Sequence, residues 1–414
     1  MSGKNPFYKV KNTRFLCFLV AKKYGIWYNI EDRKIQKNFF TGGKIFMKFV
    51  CDGTVLSDAA TTVSKACAVK TITPILECIR IQAKNDGLIF KAYDGEISIE
   101  KKIKAEVLEE GELCVNGKTF ADFVGKIAGF EVVIGSQGNG ILIQYGESES
   151  FMQTLSAEDF PQFGENLSEE NYFETKREDL KKLISKVVFC CATDESRPIL
   201  KGCLLEAKNG RLTATALDGF RMACSSCETA EGSGEMKIVC PARTLTEISR
   251  MLDGDGNLKI YASKHLLSVG LNDTVITSRL YAGEFVRKEN IYPIEFTTHV
   301  TVKRSEMIDS VERASVLIRG DKNNLVVFDI KMGKIVITAN SEMGKVAESV
   351  EAELVGKDLK IAMNAKYLSD ALKALEEEEI LLSFNSPVSP FTIENVYEKS
   401  NQYLILPVRT SIPQ

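Results

Sequence analysis

Apolar residues return along this chain with two alternating periods, and the alternation itself occurs three times. Val55, Ala59, Val63, Ala66 and Cys67 follow the spacing of one helix face. Leu180, Leu183, Ile184, Val187 and Val188 do so again, and Met307, Ile308, Val311, Ala314 and Ser315 a third time. Short strand-like segments follow each set, with hairpin signals at Asn85-Asp86-Gly87, Asn209-Gly210 and Met332-Gly333. A second helix is predicted from near Lys118, Arg243 and Lys366. Strand pairs then close each unit: 130–134 with 141–145, 258–262 with 266–271, and 380–384 with 391–395. Helix, strands, helix, strands is an α+β pattern, in which antiparallel sheets carry helices on one face.

The three units also repeat in words. Pro74-Ile75-Leu76 returns at Pro198-Ile199-Leu200, and Ala92-Tyr93-Asp94-Gly95 at Ala216-Leu217-Asp218-Gly219. Asn116-Gly117-Lys118-Thr119-Phe120 aligns with Pro241-Ala242-Arg243-Thr244-Leu245 and with Asn364-Ala365-Lys366-Tyr367-Leu368. Lys118 and Arg243 are 125 residues apart, and Arg243 and Lys366 are 123 apart. Solenoid repeats run ~20–50 residues, so this period is a domain. The expected domains are 47–170, 171–296 and 297–414, with linkers near 163–173 and 288–298. Residues 1–46 stand outside the repeat and hold Trp27, the only tryptophan. They are expected to be either an extension upstream of a natural start at Met47, since Gly42-Gly43 could be encoded by a ribosome-binding sequence a few codons before it, or a dispensable, disordered tail. Phe15–Ala21 lacks a signal-peptide cleavage site and runs into Lys22-Lys23.

Charge is sorted by element. The 414 residues carry a formal −3, of which residues 1–46 contribute +8, leaving −11 for the repeats. The six helical windows (54–70, 117–129, 175–191, 242–252, 303–319 and 365–375) together carry +8, so the strands and loops carry −19. Helix dipoles draw cations to C-termini, yet Lys118, Arg243 and Lys366 stand at helix starts. If the helices share one face, that face is weakly positive inside an acidic body. Such a lining suits a polyanion met through its phosphates, without base reading. The acidic runs Glu109-Glu110 and Glu376–Glu379 are expected to be solvated surface.

Catalytic and metal chemistry find little support. Neither of the two histidines, His265 and His299, has a nearby Ser, Cys or Asp cluster that reads as a triad or dyad. Eleven cysteines show no framework spacing, which reads as reduced thiols in the cytoplasm. Cys224-x-x-Cys227 has redox spacing but no βαβ context, and no second pair completes a zinc site. Asp253-Gly-Asp-Gly-Asn257 opens like a calcium loop but lacks its later ligands, and reads as a hairpin turn. No phosphate-binding glycine loop is present, and no apolar run approaches the ~20 residues that span a bilayer. No cofactor and no membrane association are expected. A large symmetric binding body remains.

On the repeat, on Arg197-Pro-Ile-Leu-Lys-Gly202, on Ala216-Leu-Asp-Gly-Phe-Arg-Met222 and on the terminal Tyr403-Leu-Ile-Leu-Pro-Val-Arg409, the chain resembles the bacterial DNA polymerase III beta subunit, the sliding clamp family. The resemblance covers 47–411. It implies a DNA clamp fold, three tandem similar domains per chain, and a head-to-tail homodimeric ring. Helices would line the inside around double-stranded DNA, and sheets would form the outside. Such a ring is a processivity factor: it slides without base-specific contacts and tethers a replicative polymerase, raising its effective concentration at the primer end. An ATP-driven clamp loader would open it. Other proteins carrying the clamp-binding motif would share its peptide pocket. The alternatives are a clamp-like peptide scaffold that does not encircle DNA, and a thiol oxidoreductase using Cys224 and Cys227.

The resemblance also assigns residues. A partner-peptide pocket would comprise Leu200, Leu217, Gly219, Phe220, Arg221, Met222, Ile291, Leu404, Leu406, Pro407, Val408 and Arg409. An exposed apolar groove rimmed by arginine would suit apolar anchors and a carboxylate or backbone contact. Lys70, Arg197, Lys181, Lys182 and Lys186 would face DNA, and Phe151, Val316 and Leu317 would form the dimer seam. Two features depart from the family pattern: Phe220 stands where histidine is frequent, and Phe285-Val-Arg-Lys288 where Phe-Pro-Asp-Tyr is common. Gln153 lies where the seam usually has an apolar residue.

Overall fold

The computed structural model describes residues 47–85, 87–164, 171–231, 234–293, 295–318, 324–397 and 400–409. The extension 1–46 and the terminal 410–414 lie outside the described residues.

Three units follow one path. The first runs β1 (Lys48–Asp52), α1 (Gly53–Ser64), β2 (Cys78–Lys84), β3 (Gly87–Tyr93), β4 (Ile97–Lys104), β5 (Glu106–Glu109) and β6 (Gly111–Asn116). It continues through α2 (Gly117–Val124), β7 (Glu131–Gln137), β8 (Gly140–Tyr145) and β9 (Ser148–Leu155). The second runs β10 (Tyr172–Lys176), α3 (Arg177–Val187), β11 (Gly202–Lys208), β12 (Arg211–Leu217), β13 (Arg221–Glu228) and β14 (Met236–Pro241). It ends with α4 (Ala242–Met251), β15 (Asn257–Ala262), β16 (Leu266–Leu271) and β17 (Thr274–Arg279). The third runs β18 (Thr298–Lys303), α5 (Arg304–Leu317), β19 (Leu325–Lys331), β20 (Gly333–Ser341), β21 (Gly344–Gly356) and β22 (Leu359–Asn364). It ends with α6 (Ala365–Ala374), β23 (Glu379–Phe384), β24 (Phe391–Asn395) and β25 (Asn401–Ile405).

Local chemistry explains the element ends. Asp52 caps α1 by accepting from the amides of Thr54 and Val55, and Asn364 caps α6 through Lys366 and Tyr367. α3 carries Glu178 and Asp179 in its first turn and Lys186 in its last, matching its dipole. Asn85 and Asn209 take positive φ at the predicted hairpins. Leu56, Ala59, Ala60 and Val63 bury the inner stripe of α1. Within each unit the two helices pack on one another and against the sheets.

Several expectations are corrected. Each first helix is preceded by a strand, β1, β10 or β18, which is five or six residues long and too short to show a clear alternation. α1 stops at Ser64, yet Ala66 and Cys67 remain buried in the turn beyond it. Asp253–Asn257 is a helix-to-strand connection rather than a hairpin turn. The expected linker near 288–298 is joined to the fold: Ile291 and Tyr292 pack on a cluster formed by the second unit and Leu404 of the third.

Sheets run across the unit boundaries. β17 of the second unit pairs antiparallel with β4 of the first, Ile276 opposite Ile99. β25 of the third pairs with β13 of the second, Leu404 opposite Met222. Each boundary therefore joins the last strand of one unit to the strand after the central hairpin of the unit before it.

Candidate functional site

The boundary between the second and third units gathers most of the predicted pocket residues. The β12–β13 turn is built on Asp218, whose carboxylate accepts from the amides of Phe220 and Arg221 at 2.9 and 3.0 Å. Gly219 takes φ 94° inside that turn, a conformation that suits glycine. The amide of Leu406 donates to the Phe220 carbonyl, and that of Val408 to Ala362, so the tail is held against both units.

An open groove is not what these residues make. Leu200, Leu217, Met222 and Leu404 are buried, and Phe285 lies in the same cluster. The β13–β25 pairing sets Leu404 opposite Met222, and the strap from Phe285 to Tyr292 completes the cluster. The available apolar surface lies further out. Phe220 is 60% exposed and stacks on Tyr367, while Leu406, Pro407 and Val408 are half-buried. Arg409 is exposed next to Val408, and Arg197 is exposed just before Pro198. A cleft of about 460 Å³ opens next to Ile291, lined also by Pro293, Glu295, Asn385, Ser389 and Pro390.

Arg221 does not act as a free rim cation. Its guanidinium donates to Asp218 at 3.0 Å, to Asp370 of α6 at 2.6 Å and to the Phe189 carbonyl at 2.8 Å. It also lies 4.5 Å from the centre of the Tyr367 ring. Burial opposes the charge, but the bonds to Asp370 and Asp218 outweigh it and raise the pKa above the ordinary guanidinium value.

Family models match three consecutive segments: the DNA polymerase III beta subunit N-terminal domain over 47–164, the central domain over 174–286 and the C-terminal domain over 289–409. The chain belongs to the DNA polymerase III beta subunit family. The beta sliding clamp of Bacillus subtilis is 32% identical over 378 residues, covering 88% of this chain and all of that one. That of Halalkalibacterium halodurans is 31% identical over 380 residues, with the same coverage. The crystal structure of the Bacillus subtilis clamp superposes with a TM-score of 0.84 at 31% identity, covering 88% of this chain and 100% of that one. The Thermotoga maritima beta subunit gives 0.82 at 27% identity over the same shares. Members of this family are polymerase accessory subunits, so the chain is not itself an enzyme.

The remaining family expectations fall unevenly on the structure. Lys70 is exposed in the segment after α1, between exposed Val69 and Ile72. Lys181 pairs with Asp253 at 3.0 Å and Lys182 with Glu178 at 2.5 Å, both part-exposed. Lys186 is different: its side chain is only 13% exposed and meets Glu376 of the third unit at 3.7 Å. It fastens a boundary instead of lining an open face. Phe151 on β9 is 50% exposed and Val316 on α5 is 61% exposed, while Leu317 is half-buried. Gln153 is exposed on the same strand as Phe151.

Cys224 and Cys227 sit three apart on β13, so their side chains leave opposite faces. Cys224 accepts from Thr215 and Cys227 contacts Thr175, and burial pushes the Cys227 thiol up to about 11. A dithiol couple needs both sulfurs on one face, and the family match does not favour the oxidoreductase alternative.

Sequence reasoning missed the groups that join the units. Arg243 binds Asp94 and the Lys65 carbonyl across the first boundary. The Glu376–Glu379 run is exposed at Glu376, Glu378 and Glu379, and it also makes contacts: Glu376 meets Lys186, Glu378 accepts from Ser305, and Glu379 accepts from Tyr397. The repeated Asp94-Gly95 and Asp218-Gly219 carried the signal, since each marks a turn facing the next unit.

Proposed function

We propose that two copies of this chain close head to tail into a ring around double-stranded DNA and act as the processivity factor of a replicative polymerase. Three domains per copy, 47–170, 171–296 and 297–414, would give a pseudo-six-fold ring. The observation that carries the reading is the strand pairing at the two unit boundaries, β17 on β4 and β25 on β13. The same rule would put β9 of one copy on β21 of another. β9 pairs with β8 along its length and with β6 only at Thr154 and Leu155. β21 pairs with β20 through Ala352 and with β18 only from Glu353 onward. Each thus has an open edge among the described residues, near Phe151 on one side and below Val316 and Leu317 on the other. Exposed apolar side chains beside an open edge favour strand addition.

The ring would hold DNA by topology and by weak phosphate contacts from groups such as Lys70, Arg197, Lys181 and Lys182, which permits sliding. Polymerase, loader and other partners would dock a short apolar motif on Phe220, Leu406, Pro407 and Val408, with Arg409 at the edge and the Ile291 cleft alongside. The test is retention of the loaded protein on nicked circular DNA against the same DNA linearised. Retention on circles with rapid loss from linear ends is expected. Equal retention on both would leave a peptide-binding scaffold that does not encircle DNA.

A further inference from the structure

The first unit carries a cleft of about 230 Å³ that the docking surface does not use. Arg80 and Gln82 of β2, Ile89 and Lys91 of β3, Glu100 of β4 and Gln162 of the connection to the second unit line it. The β2–β3 register sets Arg80 directly opposite Lys91, and the β3–β4 register sets Lys91 opposite Glu100. Like charges directly opposite on one sheet face repel each other. Both are also withdrawn from water: the Arg80 side chain is 19% exposed and that of Lys91 13%, so salt screens the pair poorly. The fold does not require these cations. Counted from Pro74 and Pro198, the same pair in the second unit is Leu204 opposite Thr215.

Nearby carboxylates answer the repulsion only in part. Glu112 of β6 accepts Nε and Nη2 of Arg80 and the amide of Gln82, all on its Oε2 atom, and it stands outside the cleft lining. Arg80 Nη1 has no acceptor among the described residues. Glu100 lies 3.6 Å from Lys91 and 3.9 Å from Lys102, beyond hydrogen-bond length in both cases. Lys91 also reaches the Phe163 carbonyl at 3.3 Å. The lining thus sets two cations against one carboxylate, with donors to spare. Pockets for drug-sized ligands run ~300–1,000 Å³, so the cleft is the size for an ion or a small acid.

We propose that this cleft binds a small free oxyanion, of the phosphate or short carboxylate class, between Arg80 Nη1 and Lys91 Nζ. Guanidinium and ammonium give it charge-assisted hydrogen bonds, and Gln162 supplies an amide from the connecting segment. Occupancy bears on the first boundary, because that segment is already fixed to the same sheet. The Phe163 ring stacks on Tyr93 at 4.4 Å, and the Arg279 guanidinium of the second unit lies 5.3 Å from the Phe163 ring. An anion between Gln162 and the sheet adds a fastening where the two units join. Free anion concentration then sets how firmly the segment is held, by mass action. The site serves a ring or an open scaffold alike.

Phosphorus NMR of inorganic phosphate with the full chain, at ionic strength held constant with chloride, tests it. Saturable line broadening with a dissociation constant below about 10 mM is expected. Arg80→Gln and Lys91→Gln should each weaken binding about tenfold or more. Gln162→Glu should do the same by placing a carboxylate at the cleft, and its exposed position spares the core. Lys84→Gln, exposed on β2 outside the lining, should stay within about twofold of the parent. Phosphate should also slow amide exchange over 157–163 in the parent and not in Gln162→Glu. Broadening that does not saturate, or that Gln162→Glu leaves unchanged, would overturn the site. Equal weakening by Lys84→Gln would show general attraction to a basic surface and overturn it as well. Saturable binding with unchanged exchange over 157–163 would overturn the fastening of the boundary and keep the anion site.

Discussion

Arg221 of the second unit donates to Asp370 of the third at 2.6 Å while holding Asp218 of its own turn at 3.0 Å. One guanidinium thus ties the turn that presents Phe220 to the helix on which Phe220 stacks. The candidate docking surface and the boundary between units are one piece of structure.

Arg221→Ala leaves two carboxylates and the Phe189 carbonyl without their shared donor, and should cost about 3 kcal/mol. Arg221→Lys should recover only part, since one ammonium cannot reproduce the planar fork. Urea unfolding followed by circular dichroism reads both. A loss below about 0.5 kcal/mol for the alanine variant would remove Arg221 as the tie.

The family resemblance places Leu404 and Phe220 in one pocket, but burial separates them. Leu404→Ala should destabilise the chain by about 2–5 kcal/mol, because it empties a filled core site. Phe220→Ala should change stability by under about 1 kcal/mol, yet weaken binding of a labelled clamp-binding peptide at least about fivefold by fluorescence anisotropy. Unchanged anisotropy would move the docking surface elsewhere.

Lys70 and Lys186 should likewise part company. Lys70→Ala should lower the salt dependence of DNA retention by about one unit of slope, as expected for one lost phosphate contact. Lys186→Ala should leave that slope unchanged and lower the unfolding midpoint, because its partner is Glu376. Equal effects on the slope would put both side chains on the DNA face.

Burial lifts the thiols of Cys51, Cys67 and Cys191 from the ordinary 9.0 to about 12, and that of Cys227 to about 11. Above pH 9 the unfolded chain releases protons that the folded chain keeps. The stability tied to these thiols is therefore complete below about pH 9 and falls between about pH 9 and 12, by at most about 1.4 kcal/mol per thiol per pH unit. The melting temperature should hold between about pH 7 and 8.5 and drop by about pH 10. A flat profile to about pH 10.5 would show that these thiols ionise as easily in the fold as in the coil.

Periodicity made the first helix of each unit legible, turn residues the three hairpin positions and the repeated words the second helices, because backbone geometry repeats locally and the pattern recurs in each unit. The words at Arg197–Gly202, Ala216–Met222 and Tyr403–Arg409 carried the family. Only the tertiary structure decided which of those residues face out. Leu200 and Leu404 look like pocket apolars in sequence, and cross-boundary pairing with the Phe285 strap buries them. Lys186 looks like a lining cation until Glu376, 190 positions away, is placed beside it. Asp94 and Asp218 stood out as repeats, but their work of receiving the next unit's helix depends on contacts between residues about 150 positions apart. Local pattern fixes an element's inner and outer faces. Which outer faces then meet is set by shape and charge across boundaries, which a one-dimensional period cannot record.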